Sequence, residues 1–403
     1  MEHFIARQPI FDTKGQVYAY ELLFRSGLHN YFDCDDADHA AASVIANSSL
    51  LFGLNEMSGG VRVFINCTRK VLTENFMTVL PKQQAVVEIL EDVEPDDEII
   101  EACRRLKKQG YILALDDFVY HKNYEPLLEM ADIIKVDVLA SSVEEQKMLA
   151  DKFIPRGIRM LAEKVETHEV YEQTKQMGYQ LFQGYFFSKP VIVSRKDIPS
   201  NKLQFLRILK DVHAEEIDFK KLAQTIQSEV FLSYKILKLI NSAAFSLRHK
   251  VTSILQAISL LGIREVRSWV SLLSISAMAD DKPAELVVTS LIRARFCEKL
   301  AEPCGLPGRR SDLFLMGLFS LLDVIMSRPI EEILNEITVE DDIQAALTGE
   351  PGILLNILRL IIAVEKGEWE LVSSLAEELQ IDEQPLCEAY MEAIKWAHEI
   401  YAI

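Results

Sequence analysis

Polar side chains recur at one kind of place in this 403-residue chain, the end of a short apolar run. They are Glu21 in YAYELLFR, Asn66 in VFINCT, Glu88 in VVEILE, Asp116 with Asp117 in LALDDF, Lys135 in IIKVD, Glu163 in MLAEKVE and Gln183 in LFQGY. Carboxylates crowded onto one rim repel one another and hold their protons more tightly. A hard divalent cation with oxygen ligands, Mg2+ or Mn2+, relieves that repulsion. Lys135 adds a positive charge suited to orienting a water or a phosphate oxygen. Two chemistries use such a set: metal-assisted hydrolysis at phosphorus, and enolisation over one metal with a lysine base. The residue types leave both open.

Each of these residues also has an ordinary explanation when taken alone. ILALDDFVYH shows the tension. Ile112, Leu113, Ala114 and Leu115 read as a strand buried on both faces, because no polar residue alternates with them. Such a strand runs straight into two carboxylates, groups that resist leaving water. A helix N-cap would account for one of them. Delivery of polar side chains by seven successive strands to one rim is harder to obtain from caps.

The elements that would position these residues can be read from periodicity. Candidate strands fall at 3–11, 17–24, 61–67, 85–90, 111–118, 132–138, 159–165 and 181–187, with helical stretches between, such as 38–51, 96–108 and 167–177. Strand and helix alternating over about 200 residues predicts a (β/α) barrel of the TIM type, whose chemistry gathers at the C-terminal strand ends. A doubly wound sheet is the competing architecture, but no GxGxxG follows an early strand. KPVIVSRKDIPSN, with Pro190 and Pro199, reads as a linker over 191–201. Beyond it the apolar spacing becomes helical throughout, in LSYKILKLINSAAF, SILQAISLLG and GILLNILRLIIAVEKG. The expected organisation is a barrel over 1–190 and an all-helical domain over 202–403.

The net charge of −18 argues against binding to a nucleic-acid polymer or an anionic membrane surface. No apolar stretch reaches the ~18 residues of a spanning helix, so no membrane insertion is expected. The six cysteines show no CxxC pairing, and read as reduced thiols of a cytoplasmic protein.

YELLFR resembles the Glu-Ala-Leu-x-Arg signature of EAL domains, the cyclic di-GMP phosphodiesterases. The remaining motifs of that family follow in order: FINCT, VEILE, LDDF, IKVD, AEKVET and FQGYFFSKP. The resemblance implies that Glu21, Asn66, Glu88 and Asp116 hold a first metal and Asp117 a second. It implies that Lys135 holds or activates the attacking water, with Glu163 and Gln183 completing the rim. By the same resemblance Arg25 contacts a phosphate of cyclic di-GMP, Glu91 anchors the loop after the paired aspartates, and Glu166 is a further acidic position. Four departures stand out. The signature reads Glu-Leu-Leu, and Val119, Tyr120 and His121 occupy the family's Gly-x-Gly loop. Lys164 takes the place of a glycine, and SGLHNYFDCDDADHA lacks the usual lid. The pattern fits a weak or regulated hydrolase, or a receptor or scaffold that does not turn the dinucleotide over.

The helical half resembles the HDOD domain, a relative of the HD phosphohydrolases, most clearly over 202–330. The stretch matching the metal-binding helix of HD enzymes has Ser320 and Leu321 where those need His-Asp, and no histidine lies between residues 250 and 397. No catalytic metal is therefore expected there. Asn241 reads as a helix C-terminal residue or a functional polar group. The resemblance implies an output module that binds a protein partner, and it leaves room for a homodimer.

Overall fold

The computed structural model describes residues 3–26, 54–118, 120–188, 200–214, 219–241 and 250–401. The expected helix over 38–51 and the expected linker up to residue 199 lie outside them. The chain divides into two compact units, Met1–Lys189 with Ile362–Ser374, and Pro190–Ile361 with Leu375–Ile403.

In the first unit eight strands close into a barrel in sequence order. They are β1 His3–Asp12, β2 Val17–Ser26, β3 Arg62–Cys67, β4 Ala85–Ile89, β5 Ile112–Leu115, β6 Ile133–Asp137, β7 Arg159–Glu163 and β8 Leu181–Gln183. All eight expected strands are present. The TIM-type barrel carries one reversed strand, β1, which runs antiparallel to both its neighbours, β2 and β8. The cause is local. Asp12 Oδ1 accepts the backbone N–H groups of Lys14 and Gln16 at 2.8 and 2.9 Å, closing a turn too short for a crossover helix. The remaining neighbours, from β2–β3 to β7–β8, are parallel.

The helices outside the barrel begin and end where capping residues sit. Asp97–Gln109 is capped by Asp96, which accepts from Glu98 and Ile99, and stops at Gly110. Val143–Phe153 opens with a reciprocal Ser142–Glu145 box. His168–Gln176 opens at Thr167.

Ile10, Ala19, Phe64, Val86, Ala114, Ile133, Leu161 and Leu181, one from each strand, form a buried layer inside the barrel. This layer is the floor on which the polar residues stand.

The second unit is helical. Its longest-buried element, Ala284–Leu300, is buried around its whole circumference, including Glu285, Thr289, Ser290 and Arg293. Helix Arg310–Phe319 crosses it at Gly317, where a Cβ would lie 2.3 Å from the carbonyl oxygen of Arg293. Only the missing side chain allows the two backbones to approach so closely. Asn241 is tied wholly to backbone: its amide donates to Leu237 and Val251, and its oxygen accepts from Val251. That assigns it a structural role. Ser320 likewise donates to the Gly317 carbonyl and accepts from Arg293. Gly317→Ala is expected to destabilise this unit by about 2 kcal/mol through overpacking against backbone that cannot yield, measured as a lowered urea midpoint of the full chain.

Candidate active site

Side chains on a strand alternate between faces, so residues two apart share one. Two positions beyond each floor residue stands one of the expected site residues: Glu21 above Ala19, Asn66 above Phe64, Glu88 above Val86, Asp116 above Ala114, Lys135 above Ile133, Glu163 above Leu161 and Gln183 above Leu181. The remaining strand, β1, completes the ring. Because β1 is antiparallel, its member lies two residues before Ile10 and is Gln8, which pairs with Glu21 in register. Sequence reading missed Gln8 by looking for polar residues only after apolar runs. The signal was present in ARQPIF, visible once the short turn at Asp12 is taken to reverse the first strand.

Lys135 lies at the centre of the ring and is buried. Its Nζ lies 2.8 Å from Asp116 Oδ1, 2.7 Å from Glu163 Oε1 and 3.3 Å from Glu21 Oε2, and it also donates to Glu88 Oε1. Gln183 Nε2 donates to Glu21 Oε2 at 2.6 Å and to Gln8 Oε1 at 3.0 Å. Burial alone would push the Lys135 ammonium down, but Glu163, Glu21, Glu88 and Asp116 together hold it well above its ordinary range. Burial, then repulsion from Glu21, pushes Glu88 up against the attraction of Lys135. Burial and the neighbouring carboxylates also raise Glu163. One ammonium does not neutralise four carboxylates.

Asp116 and Asp117 are not a helix cap. The chain bends after them, and the next helical turn begins only at Lys122. Asp116 N–H donates to the Ile89 carbonyl and Phe118 N–H to that of Lys135, so the bend is fixed to the strands on either side. Asp117 adopts φ +36°, a conformation that few non-glycine residues take. Asp116, Asp117 and Glu163 each offer a carboxylate oxygen, all within 4.8 Å of one another. Buried oxygens of Asn66, Glu88, Asp117, Glu163 and Gln183 have no hydrogen-bond partner among the described residues. Unsatisfied buried acceptors are costly, and oxygen donors left over around surplus negative charge fit a hard divalent cation.

Some expected residues stand apart. Glu91 is exposed, and its backbone carbonyl accepts from the Tyr124 hydroxyl at 3.2 Å. Glu166 is exposed as well. Arg25 belongs to β2 and pairs with Phe4, its side chain lying outside the described set, as does Val119.

Residues 64–190 match the family model of the EAL domain, and residues 198–347 that of the HDOD domain. The uncharacterized protein YuxH of Bacillus subtilis is 38% identical over 99% of both chains. The cyclic di-GMP phosphodiesterase CdgJ of Vibrio cholerae is 34% identical, over 98% of this chain and 93% of its own. The chain belongs to this family of EAL–HDOD proteins. Among solved structures, the manganese and cyclic di-GMP complex of Klebsiella pneumoniae BlrP1 is similar at 24% identity, covering 46% of this chain and 55% of its own, with a TM-score of 0.39. The barrel of this EAL–HDOD protein rests on its own strand pairing. No helix among the described residues is long and apolar enough to cross a membrane.

Lys135→Met should leave the EAL barrel's four carboxylates without their cation. In EDTA this is expected to lower stability by about 3–5 kcal/mol, read from urea unfolding, with the deficit shrinking in saturating Mn2+.

Proposed function

We propose that this EAL–HDOD protein hydrolyses cyclic di-GMP to the linear dinucleotide in a reaction that depends on Mg2+ or Mn2+. The observation that carries this reading is the ring itself: Lys135 among four carboxylates, three of them buried, with further oxygens that have no hydrogen-bond partner among the described residues beside it. The likeness to CdgJ over nearly the whole chain supports the choice of substrate.

On this reading Glu21, Asn66, Glu88 and Asp116 hold one ion, with Asp117 and Glu163 facing the same space. When bound, the cation supplies Lewis acidity at phosphorus and makes water a better nucleophile at neutral pH. The chain's residues do the rest. Lys135 keeps its ammonium at the centre of the ring and orients the attacking water. Gln183 holds Glu21 in place, and Gln8 holds Gln183. Arg25 contacts a phosphate of the dinucleotide. Residues 1–190 are the catalytic part, and 202–403 form an output module that binds a protein partner in the cytoplasm, with room for a homodimer.

One observation favours a receptor that binds without turnover. Tyr120, in the loop after the paired aspartates, donates its hydroxyl to Glu125 at 3.0 Å and lies under Lys152, whose Nζ is 3.0 Å from the ring centroid. A loop pinned there is less free to close over a substrate.

Purified full-length protein incubated with cyclic di-GMP and Mn2+ is expected to yield the linear dinucleotide on chromatography. Glu88→Gln should cut turnover about 10^3-fold or more, the equivalent of roughly 4 kcal/mol in the barrier. Binding of the dinucleotide with no linear product at any Mn2+ concentration would select the receptor.

A further inference from the structure

We infer that the turn Lys366–Gly367 is a positioning element for Glu21, tied to it through the side-chain amides of Gln8 and Gln183. Displacement of the helices that carry this turn then changes how tightly the barrel holds its ion. The inference rests on the proposed reading in which Glu21 is a ligand of that ion, and adds its regulation.

The turn joins helices Ile353–Lys366 and Trp369–Leu379, and lies outside the stretches that match the EAL and HDOD family models. Ile362–Ser374 nonetheless forms one compact unit with the barrel, while Pro190–Ile361 and Leu375–Ile403 belong to the other. The contacts that seat the turn all fall on β8, β1 and β2 or directly after them. Gln8 Nε2 donates to the Lys366 carbonyl at 2.9 Å, and the Tyr185 hydroxyl donates to that of Glu365 at 3.3 Å. Gly367 packs on Leu23, which stands one rung beyond Glu21 on the same face of β2. A Cβ on Gly367 would lie 2.9 Å from Leu23 Cδ1, and its φ of +68° is in the left-handed region. The turn thus uses glycine both for its backbone and for its closeness to the strand.

The contact with Gln8 reaches further than the mouth. A backbone carbonyl only accepts, so Lys366 fixes which end of the Gln8 amide faces it. The NH2 group goes to the turn and the oxygen is left to face Gln183. That oxygen accepts from Gln183 Nε2 at 3.0 Å, and the same NH2 group donates to Glu21 Oε2 at 2.6 Å. Each amide is held in one sense by the group before it, and the last delivers a donor to a carboxylate. Lys135 Nζ lies 3.3 Å from that same oxygen, so the Gln183 contact is the closer of the two. Lifting the turn frees the Gln8 amide to rotate and offer its NH2 group to Gln183. Gln183 can accept only by turning its own oxygen to the place of its nitrogen. That withdraws the donor from Glu21 and sets a carbonyl oxygen against its carboxylate. Because both flanking helices continue into residues of the second unit, whatever shifts those helices pulls on the turn.

The test measures manganese affinity and does not depend on turnover. Mn2+ is titrated into full-length protein and the free ion read by electron paramagnetic resonance. The proteins are wild type, Gly367→Leu, Gln8→Leu and the double variant, each checked for folding by circular dichroism. Each single variant is expected to bind Mn2+ about 10-fold more weakly, as loss of a partner behind a metal ligand does. The double variant should bind no more weakly than Gln8→Leu, because both changes cut one chain. Should Gly367→Leu not fold, Gly367→Ala, whose Cβ meets the movable end of Leu23, takes its place in the same cycle. Wild-type affinity in the folded Gly367 variant or in Gln8→Leu overturns the inference, as does a double variant whose loss is the product of the two. The expected affinities with no linear dinucleotide from wild type would overturn hydrolysis and leave the inference standing. A wild type that binds no Mn2+ overturns both.

Discussion

The site depends on one buried ammonium. Four carboxylates, from β2, β4, β7 and the bend that follows β5, converge on Lys135 from β6. Charges of one sign in a water-poor interior cannot be packed at hydrogen-bond distance without a counter-charge. The lysine is therefore as much a part of the fold as the floor beneath it. It is also insufficient, because a single positive charge leaves the ring negative. That residue of charge makes the barrel receptive to a divalent cation and gives metal binding a structural as well as a chemical consequence.

The barrel makes this arrangement cheap to specify. Closing the sheet turns one face of every strand inward, and the period of two then stacks side chains in layers. In this chain the lower layer is wholly apolar and the upper one wholly polar. The same two-residue step that fixes Phe64 in the core fixes Asn66 in the ring, and likewise Val86 and Glu88. Stability and chemistry are thus assigned to adjacent rungs of the same strands, and positional precision in the upper rung comes from close packing in the lower.

This layering explains what could be read from the sequence and what could not. Seven ring positions were legible because parallel strands each end in the same direction, so a polar residue after an apolar run has one meaning. Gln8 was not, since in an antiparallel strand the ring residue precedes the apolar run. Strand positions were legible, but their ends were not: 111–118 shortened to Ile112–Leu115, where the Asp116–Asp117 bend takes over. The helical half declared its class through its spacing. What it contacts outside itself did not show, because an interaction surface has no period to betray it. Asn241 turns out to be occupied with backbone groups, and Ser320 with the Gly317 carbonyl and Arg293.

Lys164 shows where a resemblance and a structure carry different information. As a departure from a motif it reads only as a lost glycine, a cost in backbone freedom. In three dimensions it is a charge paired with Asp137, on backbone held at φ +55°. The backbone strain and the electrostatic gain occur at one residue, and each makes sense of the other: the left-handed turn that disfavours a side chain is retained where that side chain ends in a cation facing acid. A neutral side chain there would bear the strain without the compensation. The mouth of this barrel thus repeats, nearer to solvent, the device at its centre, a lysine among carboxylates. The outer lysine differs in facing solvent, its side chain 55% exposed against 1% for the inner one, so the inner charge is fixed by packing and the outer one is shared with water.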